Sequence, residues 1–94
     1  MDMEAFADMV GVSIEVLSRD VNKVPNASRY YAHFRYVERK QGVCLASDSG
    51  NGDTPHEAVR DYVRQISGQP LVIRKGRKDE MRITCPQLTC RLEG

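Results

Sequence analysis

Apolar residues recur along this chain with two spacings, and the changes between them mark out its elements. Over residues 3–10, Phe6, Met9 and Val10 share one side of a short helix, which Gly11 ends. Ser13 is placed to cap a second helix over roughly residues 14–22, where Val16, Leu17 and Val21 fit a helical period. Pro25 and Asn26, within NKVPNAS, break that pattern. YYAHFRYVERK then alternates with period two. Tyr30, Ala32, Phe34 and Tyr36 form one face; Tyr31, His33, Arg35, Val37 and Arg39 form the other. The first face carries no cation and is expected to be the core side. KQG reads as a tight turn, VCLAS as the returning strand of a hairpin, and SGNG as a flexible loop.

DTPHEAVRDYVRQISG carries the fullest set of helix signals. Thr54 stands as N-cap, Pro55 at the first helical position and Glu57 three residues after the cap, the arrangement of a capping box. Ala58, Val59, Tyr62, Val63 and Ile66 form an apolar stripe opposite Arg60, Asp61, Arg64 and Gln65, and Gly68 ends the helix. PLVIRK and EMRITC read as two further strands joined by a GRKD turn. The order α-α-β-β-α-β-β predicts an α+β fold. A four-stranded antiparallel sheet carries one long helix on one face, with two short N-terminal helices beside it. A single domain over 1–94 is expected, with an N-terminal helical segment at 1–24, a sheet-helix-sheet body at 30–85 and a tail at 86–94.

Composition narrows the functional classes. The chain is 40% hydrophobic and 29% charged, as in ordinary globular domains, with a net charge of +1 that gives no bulk attraction to nucleic acid. No apolar run approaches the roughly 20 residues of a membrane span. The start, MDMEAFADM, is acidic and lacks the features of a signal peptide. Cys44, Cys85 and Cys90 form no CxxC pair, and His33 and His56 stand in no ligand-like spacing with them. A reduced, cytoplasmic protein without metal or cofactor is expected. Cys44 reads as a core strand residue, and Cys85 and Cys90 as reactive only if exposed.

Catalysis finds little footing. There is no Gly-x-Ser-x-Gly elbow, neither histidine has an evident nucleophile partner, and SGNGDT lacks the Gly-Lys-Ser/Thr end of a P-loop. His56 reads as an exposed first-turn residue. No enzyme and no small-molecule substrate are expected.

Two charge patterns remain. Arg35, Arg39 and Lys40 lie on or just beyond the outward face of the first strand, beside Tyr31 and His33. Arg74, Lys75, Arg77, Lys78 and Arg82 surround the last hairpin. If the hairpins are neighbours, these form a basic sheet face able to meet phosphates or acidic protein; otherwise they solvate an open sheet and protect its edges. Asp2, Asp8, Glu15 and Asp20 form an acidic counterpart, expected to imitate phosphates toward a basic partner.

FADMVGVSIEVLSRDVN resembles the helix-turn-helix of lac-repressor-type regulators, through Ala7, Gly11-Val12-Ser13 and Leu17-Ser18-Arg19. Against DNA reading, no third helix follows. Residues 1–20 also set five carboxylates against the single Arg19, which opposes the electrostatic term of DNA affinity.

The hairpin, the SGNGDTPHEAVRDYVRQISG helix and the LVI strand resemble the layout of small phage-encoded anti-CRISPR proteins acting on type I-F surveillance complexes. The pattern is also similar to the HicB-type antitoxin domain, where a strand pair precedes a Thr-x-x-Glu-Ala helix. The first resemblance implies stoichiometric inhibition in the cytoplasm of an infected bacterium. The protein would bind the backbone of the surveillance ribonucleoprotein, with direct contact to its guide RNA left open, and deny target DNA its path. The alternatives are a small nucleic-acid-binding regulator and an antitoxin.

Overall fold

Helix α2 (Pro55–Ile66) forms where the sequence marks both of its ends. Thr54 Oγ1 accepts the Glu57 N–H at 3.1 Å, and Glu57 Oε2 reaches back to the Asp53 N–H at 2.9 Å, one residue before the cap itself. Its stripe of Ala58, Val59, Tyr62, Val63 and Ile66 is buried, as the periodicity predicts.

The computed structural model describes residues 1–19 and 28–90. Among them the remaining elements are α1 (Met3–Val10), β1 (Ile14–Ser18), β2 (Tyr30–Phe34), β3 (Val37–Gln41), β4 (Cys44–Ala46), β5 (Gly50–Gly52), β6 (Pro70–Ile73) and β7 (Met81–Thr84). The fold is α+β and its sheets are antiparallel, but there are two sheets rather than one of four strands. One runs β1-β2-β5 and lies under α2; the other runs β4-β3-β6-β7.

The expected second helix is absent over 14–18, which is strand β1. Ile14 and Val16 fit a strand period as well as a helical one, with Leu17 turned to the other face, and the β-branched pair favours the strand once β2 supplies a partner. Ser13 caps nothing; its carbonyl accepts the Arg35 N–H at 3.0 Å and starts the β1–β2 ladder. The stretch resembling a recognition helix is therefore largely strand. Asp20, Val21 and the Pro25-Asn26 break lie outside the described residues, as do Arg91–Gly94.

The run YYAHFRYVERK is two strands, because the chain breaks at Arg35–Tyr36. Tyr36 has φ 61° and stands opposite Arg74 at φ 55°, whose N–H donates to the Tyr36 carbonyl at 2.8 Å. This break carries the chain from the first sheet to the second and shifts the alternation by one. Ala32 and Phe34 are buried, but the next core residue is Val37, and Tyr36, expected in the core, is 50% exposed.

The hairpin after β3 has the two-residue loop Gly42-Val43, with Gly42 at φ 62°. Cys44, expected in the core, is exposed there. SGNG is a strand in part. β5 crosses beneath α2 so closely that a Cβ on Gly50 would lie 2.6 Å from Tyr62 Cα, and one on Gly52 2.6 Å from Ala58 N. These glycines serve close approach rather than loop flexibility.

The core centres on Phe34, which meets Phe6 at 6.1 Å and Tyr62 edge-on at 5.5 Å between ring centroids. Tyr62 is 1% exposed, and burial pushes its hydroxyl up to about 12. Residues 86–90, read as the start of a tail, pack beside α1. Met3 N–H donates to Thr89 O at 2.9 Å, Thr89 N–H to Met1 O at 2.8 Å, and Leu88 is buried.

Candidate functional site

The register of the first sheet decides which side chains meet solvent. Val16, Ala32 and Gly50 share the side covered by α2, so Glu15, Leu17, Tyr31, His33 and Asn51 stand on the other. Arg19 and Arg35 extend that open face at the two ends of the ladder, where Arg19 N–H bonds to Arg29 O at 2.7 Å and Arg35 N–H to Ser13 O.

A continuous row of contacts crosses this face. The Arg19 guanidinium lies 4.6 Å from the Tyr31 ring centroid and donates to Asn51 Oδ1 at 2.6 Å. Tyr31 stacks with His33 at 6.4 Å. Glu15 bridges His33 Nε2, at 3.2 Å, and Arg35 Nε, at 3.1 Å. Arg35 lies 5.1 Å from the Tyr36 ring and bonds to its hydroxyl at 3.2 Å. Arg77, from the β6–β7 loop, covers the same ring at 4.6 Å. Guanidinium groups thus cover the two tyrosine rings at the ends of the row, and Glu15 holds His33 and Arg35 between them. Lys75 and Lys78 are exposed in the loop that carries Arg77.

The two basic clusters of the sequence are therefore neighbours, joined by β3–β6 pairing and by Tyr36. Several of their cations, however, have structural work. Arg39 lies on the same side of its strand as Val37, forms a two-pronged pair with Asp48 at 2.6 and 3.3 Å, and fixes the β4–β5 connection. That bond, first, and the charge of Asp48 raise its pKa further. Arg74 pairs with Asp79 at 2.8 Å and donates to Val10 O at 2.8 Å and Gly11 O at 3.4 Å, closing the end of α1. Arg82 pairs with Glu80 at 3.0 Å, and Lys40 is exposed toward the far end of β3 from Tyr36. Arg35 and Arg77 are left against Tyr36, with Lys75 and Lys78 exposed in the loop that carries Arg77.

Of the expected acidic edge, Asp2 is the N-cap of α1, accepting the Glu4 N–H at 3.2 Å, and Asp8 is exposed on that helix. Glu15 sits among the cations instead, its two oxygens given to His33 and Arg35.

A cleft of about 360 Å³ opens beside Tyr36. β2 pairs with β5 up to Ala32–Gly50, and β3 pairs with β4 from Arg39–Ala46 onward. Between these registers residues 33–38 keep their ladders to β1 and β6, but on the opposite side no strand among the described residues pairs with them and Ser47–Ser49 border the gap. His33, Tyr36, Glu38, Ser47 and Ser49 give the cleft its polar lining.

Cys85 is buried, and desolvation pushes its thiol up to about 11, which makes it a poor nucleophile. No group of three or more His, Cys, Asp or Glu gathers in metal-binding geometry among the described residues, and none of their helices is long and apolar enough to cross a membrane.

Sequence reasoning located Tyr31, His33, Arg35 and Arg77, and missed Arg19 and Tyr36. Arg19 would have been found by reading Ser13-Glu15-Leu17-Arg19 as alternate residues of a strand. Tyr36 left no signal, because its exposure follows from a left-handed backbone at a residue that is not glycine. No protein-family model matches this chain, and no curated protein or solved structure does either.

Proposed function

We propose that the chain is a non-catalytic binding module that sets the open face of β1 and β2, with the β6–β7 loop, against an anionic macromolecular surface. Its proposed target is a type I-F surveillance ribonucleoprotein, inhibited by occupancy. The observation that carries the binding role is the Arg35–Tyr36–Arg77 corner. Two strands and a loop distant in sequence converge there to bring two guanidinium groups against one exposed ring. Such a corner adds little to stability and much to recognition of anions.

The resemblance to phage inhibitors names the target, while its motif speaks to architecture. Gly50 and Gly52 admit α2, Thr54 and Glu57 start it, and Ala58 lies 0% exposed on its underside. Any domain built this way needs those residues, which is why the HicB-like pattern shares them. The antitoxin is the second reading, and the antiparallel β1–β2 pair preceding the GDTPHEA helix favours it.

One experiment separates the two. The purified chain is mixed with an intact type I-F surveillance complex and run on a sizing column. The inhibitor reading expects co-migration, lost on Arg35→Glu with Arg77→Glu, and no chemical turnover. Absence of co-migration, together with co-purification of a small toxin encoded beside it, replaces that reading with the antitoxin.

A further inference from the structure

We infer that the row on the open face is a track for single-stranded nucleic acid, with bases stacking against Tyr31, His33 and Tyr36 and phosphates meeting Arg19, Arg35 and Arg77. The inference rests on the proposed binding role and names its partner chemistry.

An acidic protein surface and a nucleic acid both want cations, so the rings decide between them. Carboxylates on a partner gain nothing from a ring face. Unstacked bases gain a flat apolar partner that water cannot replace, and the gain is tolerant of sequence because every base has a π-face. Here the rings lie on the open side of an antiparallel sheet, the surface on which RNA-binding sheets stack about two or three bases. The guanidinium groups over Tyr31 and Tyr36 are themselves planar stacking partners, so a base can slide against Arg19 or Arg77 without stripping the ring of its cation. Tyr31 to Arg35 spans roughly 13 Å of strand, long enough for successive bases and too flat to enter a duplex groove.

Glu15 is the one carboxylate within the row. By holding His33 and Arg35 at 3.2 and 3.1 Å it orders both, and it neutralises part of the charge that phosphates need. Its removal therefore weakens order and strengthens attraction. Attraction wins at low salt, where charge acts at long range.

The test is fluorescence anisotropy with end-labelled short oligonucleotides of mixed sequence: single-stranded RNA, single-stranded DNA, and a duplex of equal length, with polyglutamate as competitor. Single strands are expected to bind, more weakly as salt rises, with a log–log slope of roughly −2 for about three phosphate contacts. Duplex is expected to bind less well, and polyglutamate to compete poorly. Tyr36→Leu keeps the cations and removes the ring face; it should cost roughly tenfold or more in affinity. Arg77→Gln, on an exposed loop, provides a second variant if the first folds poorly, and Glu15→Gln should tighten binding at low salt. RNA bound more tightly than DNA of the same sequence would assign the track to RNA; equal affinity would assign it to single strands of either kind. The inference is overturned if duplex or polyglutamate binds as well as the single strands, or if Tyr36→Leu leaves affinity unchanged in a folded chain. Those results alongside co-migration on the sizing column would leave the binding module standing and turn it toward an acidic protein surface.

Discussion

The two faces of the β1-β2-β5 sheet are made by alternate residues of the same strands, yet they obey different rules. Along β2 and β5 the inner face is sealed: Ala32 and Phe34 are at most 1% exposed, and Gly50 and Gly52 leave room only for α2, while Val16 on the edge strand β1 is 39% exposed. The outer face holds Arg19, Tyr31, His33, Glu15 and Arg35 in contact with one another and with solvent. Packing density tolerates no change on one side, while the other trades contacts with water and can trade them with a partner. Stability and recognition are thus separable by residue parity along β2. A large effect on folding should come only from inner residues, and a large effect on binding only from outer ones.

The strongest break of this division is Gly50→Ala. The added methyl would enter the backbone of α2 at Ala58 and Tyr62, which cannot yield as a side chain would. The expected loss is at least about 3 kcal/mol, the upper end of overpacking costs, read by denaturant unfolding. A near-wild-type midpoint would mean that β5 does not cross under the helix. Phe34→Ala follows, with about 3–5 kcal/mol expected for an aromatic touching both Phe6 and Tyr62. Tyr62→Phe keeps the ring and its edge-on contact with Phe34, so it should cost far less than Phe34→Ala, roughly 1 kcal/mol for the lost hydroxyl.

These inner residues are also the ones most legible in sequence. The α2 stripe, its caps and the pairing of the last two strands follow from local period and end signals, each decided within a few residues. The misreadings arose where tertiary contacts decide. Ile14–Ser18 has too few residues to separate a helical from a strand period, and only the β1–β2 register settles it. The break at Tyr36 needs Arg74 across the sheet to receive its carbonyl, a contact 38 residues away that no local pattern encodes. The outer row inherits both difficulties. Glu15 and Arg19 lie on or just beyond the misread strand, and one ring was assigned to the core because the alternation was carried through the break.

The outer face sharpens the comparison from the other side. Arg35→Gln with Arg77→Gln should alter stability by no more than about 0.5 kcal/mol, since both are exposed and the Arg35–Glu15 pair is screened. Binding to the surveillance complex or to single strands should nevertheless fall steeply. A loss of stability comparable to that of Phe34→Ala would show that Tyr36 is a structural clamp between the sheets, and the division by parity would fail at its most exposed residue.

The smallest effect concerns how the outer face is kept in place. Glu80 accepts the Gly76 N–H at 2.9 Å and pairs with Arg82 at 3.0 Å, bracing the loop that presents Arg77 to Tyr36. The backbone hydrogen bond from Gly76, and after it the one from Arg82, hold its carboxyl below the ordinary range. A carboxyl whose folded pKa is depressed contributes stability that is fully present above its unfolded pKa. That contribution fades as pH falls through the lower folded value. Melting curves across the acid range should therefore show the wild type only slightly above Glu80→Gln near neutrality, with the two converging in acid, because the group is exposed and solvent screens it. The inner face supplies no such pH dependence, since no ionised side chain is buried there. Parallel curves would place the ordering of the loop elsewhere, with Arg74 and Asp79 the remaining brace. Binding should follow the same acid limb more steeply than stability does, because loosening the loop moves Arg77 off its ring before it unfolds anything.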